Sequence, residues 1–199
     1  MHRATDDELI AAFQAGRPQA FDRLLDRYQG PLFSYLLRMT GRRESAEDLF
    51  QETFLRVLRG LPGYEHRGQF KPWLYRLATN LCIDFFRREG RRPAVSLQRE
   101  DGEGEPASLL GVLPAPGSRP DRAALEAQFL SALDAAVARL PEMQRQVFLL
   151  RTVSELSFRE IADLLDCPLG TALGRMHDAL GKLRQWLGDE WLELLAETE

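Results

Sequence analysis

FKPWLYRLATNLCIDFFRREGRR, residues 70–92, is the stretch on which the reading of this chain turns. At 3.6 residues per turn, Leu74, Ala78, Leu81 and Phe85 fall within about 60° of one another, the buried face of an amphipathic helix. Trp73, Asn80, Asp84, Arg87 and Arg91 fall within a second band roughly as wide, with Arg76 beside it. That second stripe joins an aromatic ring, an amide, a carboxylate and guanidinium groups. Such groups stack on bases, hydrogen-bond base edges and hold phosphates. They also make an ordinary solvated face with one exposed Trp, so the choice rests on the rest of the chain.

The flanking sequence is helical in the same way. Apolar residues recur at spacings of three and four (Leu9, Phe13; Phe21, Leu24, Leu25, Tyr28; Leu32, Tyr35, Leu36), and strand-type alternation is absent. Breaks are expected at Gly16–Pro18, Gly30–Pro31, Gly41 and Gly60–Gly63. Residues 93–120 differ in kind, with nine Pro and Gly in 28 positions, and read as a linker. Helical periodicity returns at Asp121 through Leu125, Phe129, Leu133, Val137 and Leu140, then stops at Pro141. The expectation is an all-α chain of two small domains, 1–92 and 121–199, joined by a flexible tether over 93–120.

Charge sharpens this division. The whole chain carries −4, which speaks against a general nucleic-acid binder. Residues 56–92, however, hold 9 basic and 3 acidic side chains, a net +6 centred on the two-striped helix. Residues 121–199 hold 8 basic and 14 acidic, a net −6. A local positive field beside an aromatic and amide stripe is the footprint of a phosphate-facing surface. Cys82 and Cys167 form no CxxC pair, and no apolar run reaches the ~18 residues of a membrane span. A reducing cytoplasm, no metal and no cofactor are expected.

The second domain has a local signature. Ser157 and Glu160 stand at capping-box spacing ahead of a short helix with Phe158, Ile161, Ala162 and Leu165 on its apolar side. A tight turn at Asp166, Cys167 and Pro168 leads into a second amphipathic helix ending near Trp186. A short helix, a tight turn and a longer helix make either a DNA-binding helix-turn-helix or a plain helical hairpin; the short first helix favours the former.

Three segments now resemble one family in order. AEDLFQETFLRVLRGL (Ala46 to Leu61) resembles the polymerase-binding segment of bacterial extracytoplasmic-function (ECF) sigma factors. FKPWLYRLATNLCIDFFRR resembles their promoter-melting, minus-ten-reading segment. LPEMQRQVFLLRTVSELSFREIADLLDCPLGT resembles their minus-thirty-five-reading domain. The resemblance covers nearly the whole chain. It implies a dissociable specificity subunit that binds core RNA polymerase through the β′ and β subunits, directs initiation at promoter DNA and answers to an anti-sigma factor.

Residue by residue, Asp48, Gln51 and Glu52, with Leu55 beside them, share the outer face of their helix and match the polymerase-docking surface. Ser45 is expected to cap that helix, with Ala46, Leu49, Phe50, Thr53, Phe54 and Val57 facing a core. Arg67, Phe70, Trp73, Arg76, Asn80, Asp84, Arg87 and Arg88 match the minus-ten contacts, the loop from Tyr64 to Phe70 resembling the one that captures a flipped base. Tyr75 and Phe86 fit either that surface or the core. In the helix-turn-helix, Thr171, Arg175, His177 and Lys182 match the minus-thirty-five contacts.

The second helix of that motif departs from the family. Family members place Lys or Arg at the positions of Leu173, Asp178 and Leu180, whereas the outer face here carries Gly170, Gly174 and Gly181. Fewer phosphate contacts mean weaker binding and a shallower salt dependence. An autonomous helix-turn-helix regulator is the alternative; it would need a dimerisation surface and no use for Asp48, Gln51 and Glu52. An enzyme has little support: the chain has no Walker loop, no G-x-S-x-G elbow, no H-E-x-x-H and three scattered histidines.

Overall fold

A computed structural model of the chain describes residues 4–65, 68–90 and 120–188, except the side chains of 120–127. The described residues are helical with no strand among them. The N-terminal block consists of α1 (Asp6–Gln14), α2 (Gln19–Thr40), α3 (Arg43–Gly60), a 3₁₀ turn (Leu61–Gly63) and α4 (Phe70–Arg88). The C-terminal block consists of α5 (Pro120–Arg139), α6 (Glu142–Thr152), α7 (Phe158–Leu164) and α8 (Leu169–Leu187). The expected linker, Pro120 apart, lies outside the described residues, as do Arg67, Arg91 and the tail from Asp189.

Two boundaries differ from the sequence expectation. The break at Gly30–Pro31 does not occur, and α2 runs through Pro31. Proline inside a helix costs about 3 kcal/mol. Leu24, Leu32, Tyr35 and Leu36 of the same helix are 0% exposed. Full burial of a large apolar side chain contributes about 1.5–3 kcal/mol, so that stripe outweighs the proline. The second difference is at α3, which starts at Arg43 with Arg42 in the cap position and no side-chain cap. Ser45 is inside the helix and buried, so it caps nothing. The core face of α3 is as expected: Ala46, Leu49, Thr53, Phe54 and Val57 are buried, with Phe50 partly so.

The two blocks pack against each other, which the sequence pattern did not indicate. α2 lies on α5 and α6, and α4 on α7. Arg38 of α2, its side chain 5% exposed, donates from Nε to the Asp134 carboxylate of α5 at 2.9 Å. Arg76 of α4 donates to the Asp163 carbonyl of α7 at 2.8 Å, and Lys71 stands 3.8 Å from Glu155. Cys82 is fully buried near Glu142 and Arg145 of α6, and burial pushes its thiol up to about 12. Arg145 Nε and Tyr75 Oη are buried without hydrogen-bond partners. Unmet polar groups of this kind cost about 1–3 kcal/mol each.

Candidate nucleic-acid interface

α4 presents less free surface than its sequence suggests, because it is buried on two sides. Phe70, Leu74, Ala78 and Leu81 face one part of the core. Tyr75, Thr79, Cys82 and Phe86 are buried as well, which settles Tyr75 and Phe86 as core residues. The Tyr75 ring meets Tyr35 of α2 edge-on at 5.5 Å, and the Tyr35 and Thr79 hydroxyls hydrogen-bond at 2.8 Å. Pro72 sits in the first turn, where its missing N–H has no partner to lose.

What remains outside is a narrow strip. Arg76, Asn80, Arg87 and Arg88 are exposed, with Trp73 and Asp84 half-buried at its edge. Arg87 donates to the Asp84 carboxylate at 3.1 Å, so this acid partly offsets its neighbouring cation. Trp73 packs on Tyr64 at 4.9 Å and Phe70 at 5.9 Å between ring centroids. It also lies over Gly60, where an added Cβ would come 2.9 Å from its ring, so only glycine lets the indole settle there. Phe70 needs correcting. Expected to face DNA, it is 1% exposed and packed against Tyr28, Tyr64 and Trp73. An aromatic ring at a helix start stacks equally well on a base or on other rings, and here the three rings surround it.

On α3, Asp48 and Gln51 are exposed, and Leu55 is 47% exposed. Leu58 at 40% extends the same stripe. The sequence reading does not include it, although its place three residues beyond Leu55 on the outer face is a readable signal. Glu52 pairs with Arg56 at 2.8 Å. That hydrogen bond, helped by the nearby Arg59 and Arg88 charges, holds its carboxyl below the usual range. Arg88 belongs to the α4 strip, and α3 packs on α4, so the outer face of α3 and the cationic strip lie on neighbouring helices.

In the C-terminal block the expected capping box is present. Ser157 N–H donates to the Glu160 carboxylate at 2.7 Å, and Glu160 N–H to Ser157 Oγ at 3.3 Å. Asp166, with φ of 49°, turns the chain from α7 into α8. Along α8, Thr171, His177 and Asp178 are exposed, whereas Arg175 and Lys182 are half-buried. One Arg175 guanidinium nitrogen is buried without a hydrogen-bond partner, so this cation is less available than its position implies. Leu169 and Leu173 are exposed at 43% and 45%. The outer face is therefore glycine and leucine flanked by few cations.

A cationic strip on α4 and a helix-turn-helix at α7 and α8 are the features of a nucleic-acid-binding protein. The region 2 family model of sigma-70 factors matches residues 24–92, and the region 4 model matches residues 130–183. The ECF RNA polymerase sigma factor SigW of Bacillus subtilis is 31% identical over 180 residues, covering 90% of this chain and 95% of SigW. The ECF sigma-E factor of Escherichia coli is 32% identical over 175 residues, covering 88% and 90%. Among solved structures, CnrH in complex with the cytosolic domain of CnrY superposes with a TM-score of 0.64 at 21% identity, over 92% of this chain and 96% of that one. The sigma factor RpoE in complex with the anti-sigma factor NepR from Bartonella quintana gives 0.62 at 23% identity, over 84% and 96%. The chain belongs to the ECF family of RNA polymerase sigma factors. These are DNA-binding initiation factors and not enzymes. Among the described residues no helix is long and apolar enough to cross a membrane, and no cluster of ligating side chains could hold a metal ion.

Proposed function

We propose that this chain docks on core RNA polymerase through Asp48, Gln51, Glu52, Leu55 and Leu58 of α3, opens and reads the minus-ten element with α4, and places α8 at the minus-thirty-five element. One observation carries the reading. The outer face of α3 and the cationic strip of α4 are carried by two helices that pack directly on each other within one block. Docking would therefore fix the orientation of Trp73, Arg76, Asn80, Arg87 and Arg88 toward DNA held by the polymerase. Arg67 belongs to the same surface by resemblance. An anti-sigma partner is part of the proposal, supported by the fold shared with the RpoE chain bound to NepR. The proposed units of DNA reading are residues 1–92 and residues 121–199.

Core RNA polymerase co-purification tests the docking step: the full chain should be retained, and release of the polymerase under conditions that keep the chain folded would overturn it. The minus-thirty-five step has its own test in α8. Asp178→Arg turns an exposed acid into a phosphate contact. It should strengthen holoenzyme binding to duplex promoter and steepen the logarithmic salt dependence by about one unit. Arg175→Ala should weaken promoter binding several-fold and flatten that slope. A salt titration in which neither variant moves the slope would place α8 away from DNA.

A further inference from the structure

Helix α1 carries no residue of the docking face or the cationic strip, yet its polar side chains hold both ends of the segment that leads into α4. The Gln14 side-chain amide donates to the Leu61 and Tyr64 carbonyls, each at 2.9 Å. An amide nitrogen has two hydrogens, so one side chain serves both carbonyls at the end of the 3₁₀ turn. At the other end, the Gly68 N–H lies 2.9 and 3.0 Å from the two carboxylate oxygens of Asp7. Gly68 has φ of +71°, in the left-handed region, so its N–H is aimed by a turn that glycine alone adopts without strain.

Leu61 and Tyr64 are buried, and the hydrogen bonds add to that packing. A cleft of about 360 Å³ opens between α1 and the segment, lined by Asp7, Ile10, Ala11, Gln14, Tyr64 and Glu65. The Gln14 and Asp7 hydrogen bonds run from two of its lining residues to the chain that leads into α4. α1 is itself anchored: Leu9 and Ile10 are buried, and Arg27 and Tyr28 of α2 hydrogen-bond Asp6. A chain of contacts thus runs from α2 through α1 to the backbone at Leu61, Tyr64 and Gly68.

We infer that Gln14 and Asp7 are positioning residues for minus-ten recognition. They hold the backbone at Leu61, Tyr64 and Gly68, ahead of α4, without touching DNA. The inference rests on the proposed reading of that segment as the one that receives an extruded base. Gln14→Glu removes both donors and sets a carboxylate against two carbonyls. Gln14→Lys keeps a donor. Asp7→Asn keeps an acceptor for the Gly68 N–H, and Asp7→Ala does not.

The experiment uses reconstituted holoenzyme on promoters carrying each of the four bases at each minus-ten position. Open-complex formation is followed by permanganate reactivity, and polymerase affinity is measured in parallel. Gln14→Glu should slow open-complex formation by about 30-fold, the scale of two lost hydrogen bonds to buried or half-buried carbonyls. It should also erase base discrimination at one minus-ten position, with the others and polymerase affinity unchanged. Gln14→Lys and Asp7→Asn should recover most of the discrimination, and Asp7→Ala should not. A merely structural weakening would lower open-complex yield on all promoters alike and leave the ratios intact; that result overturns the inference. Absence of base preference in the unaltered holoenzyme would overturn the reading of the segment itself, and this inference with it, before any variant is made.

Discussion

Asp48→Arg is expected to abolish stable association with core RNA polymerase while leaving the helical content of the chain unchanged. Asp48 is exposed on α3, in line with Gln51, Leu55 and Leu58. Exposed substitutions away from caps and packing usually change stability by less than about 0.5 kcal/mol. Loss of a central anchor of an interface costs about 2–4 kcal/mol, roughly 30- to 1000-fold in affinity. A reversed charge adds repulsion wherever the partner is basic. Glu52→Lys should have a similar effect with a larger cost to the fold, because it replaces the partner of Arg56 with a cation near Arg59 and Arg88. Polymerase retention by both variants, with circular dichroism as the folding control, would remove α3 as the docking helix.

Formation of the polymerase–promoter complex should separate the two blocks. The minus-ten and minus-thirty-five elements lie about 25 base pairs apart, on the order of 85 Å at 3.4 Å per pair. In the packed arrangement α4 and α7 touch, with Arg76 bonded to the Asp163 carbonyl. One packed molecule therefore cannot read both elements at once. The 29 residues between Gly90 and Pro120 can reach on the order of 100 Å when stretched, which is enough to allow separation.

Cys82 reports on this step. It is fully buried beside Glu142 and Arg145, and burial lifts its thiol from 9.0 to about 12. Return to the ordinary value raises the thiolate fraction near neutral pH by up to about 1000-fold, apart from the gain in access. With Cys167 replaced by Ser, reaction of Cys82 with a disulfide reagent should be slow in the free chain and at least about 100-fold faster in the promoter complex. Asp134→Arg should open the free chain, because it leaves the buried Arg38 facing a cation; breaking a buried pair costs about 3–5 kcal/mol. Equal Cys82 protection in the free chain, the variant and the promoter complex would show that the blocks never part.

How much of this was legible in the sequence depends on how local each feature is. The all-α class and the capping box at Ser157 and Glu160 follow from spacings of three and four residues, and both are present. The continuity of α2 was not legible. Pro31 is a strong local signal, whereas the burial of Leu24, Leu32 and Tyr35 that overrides it comes from contacts with other helices. Phe70 was misplaced because an aromatic at a helix start reads the same for a stacked base as for a core. Arg38 and Asp134 are 96 residues apart and each looks like an ordinary solvated charge until the fold joins them. Gln14 and Asp7 are illegible in the sequence for the same reason, since their partners are backbone groups 47 to 61 residues away. The candidate docking and strip residues, by contrast, share helix faces, and helix faces can be read from sequence.

The central claim is that this chain gives promoter specificity to a polymerase that has none without it. Single-round transcription with core RNA polymerase, on a pool of genomic promoter fragments and with transcript 5′ ends mapped, tests it directly. The account predicts discrete start sites that appear when the chain is added. They should share a minus-ten and a minus-thirty-five element at constant spacing and vanish with Asp48→Arg. Unchanged start sites with and without the chain, or tight sequence-specific duplex binding by the chain in the absence of polymerase, would contradict it.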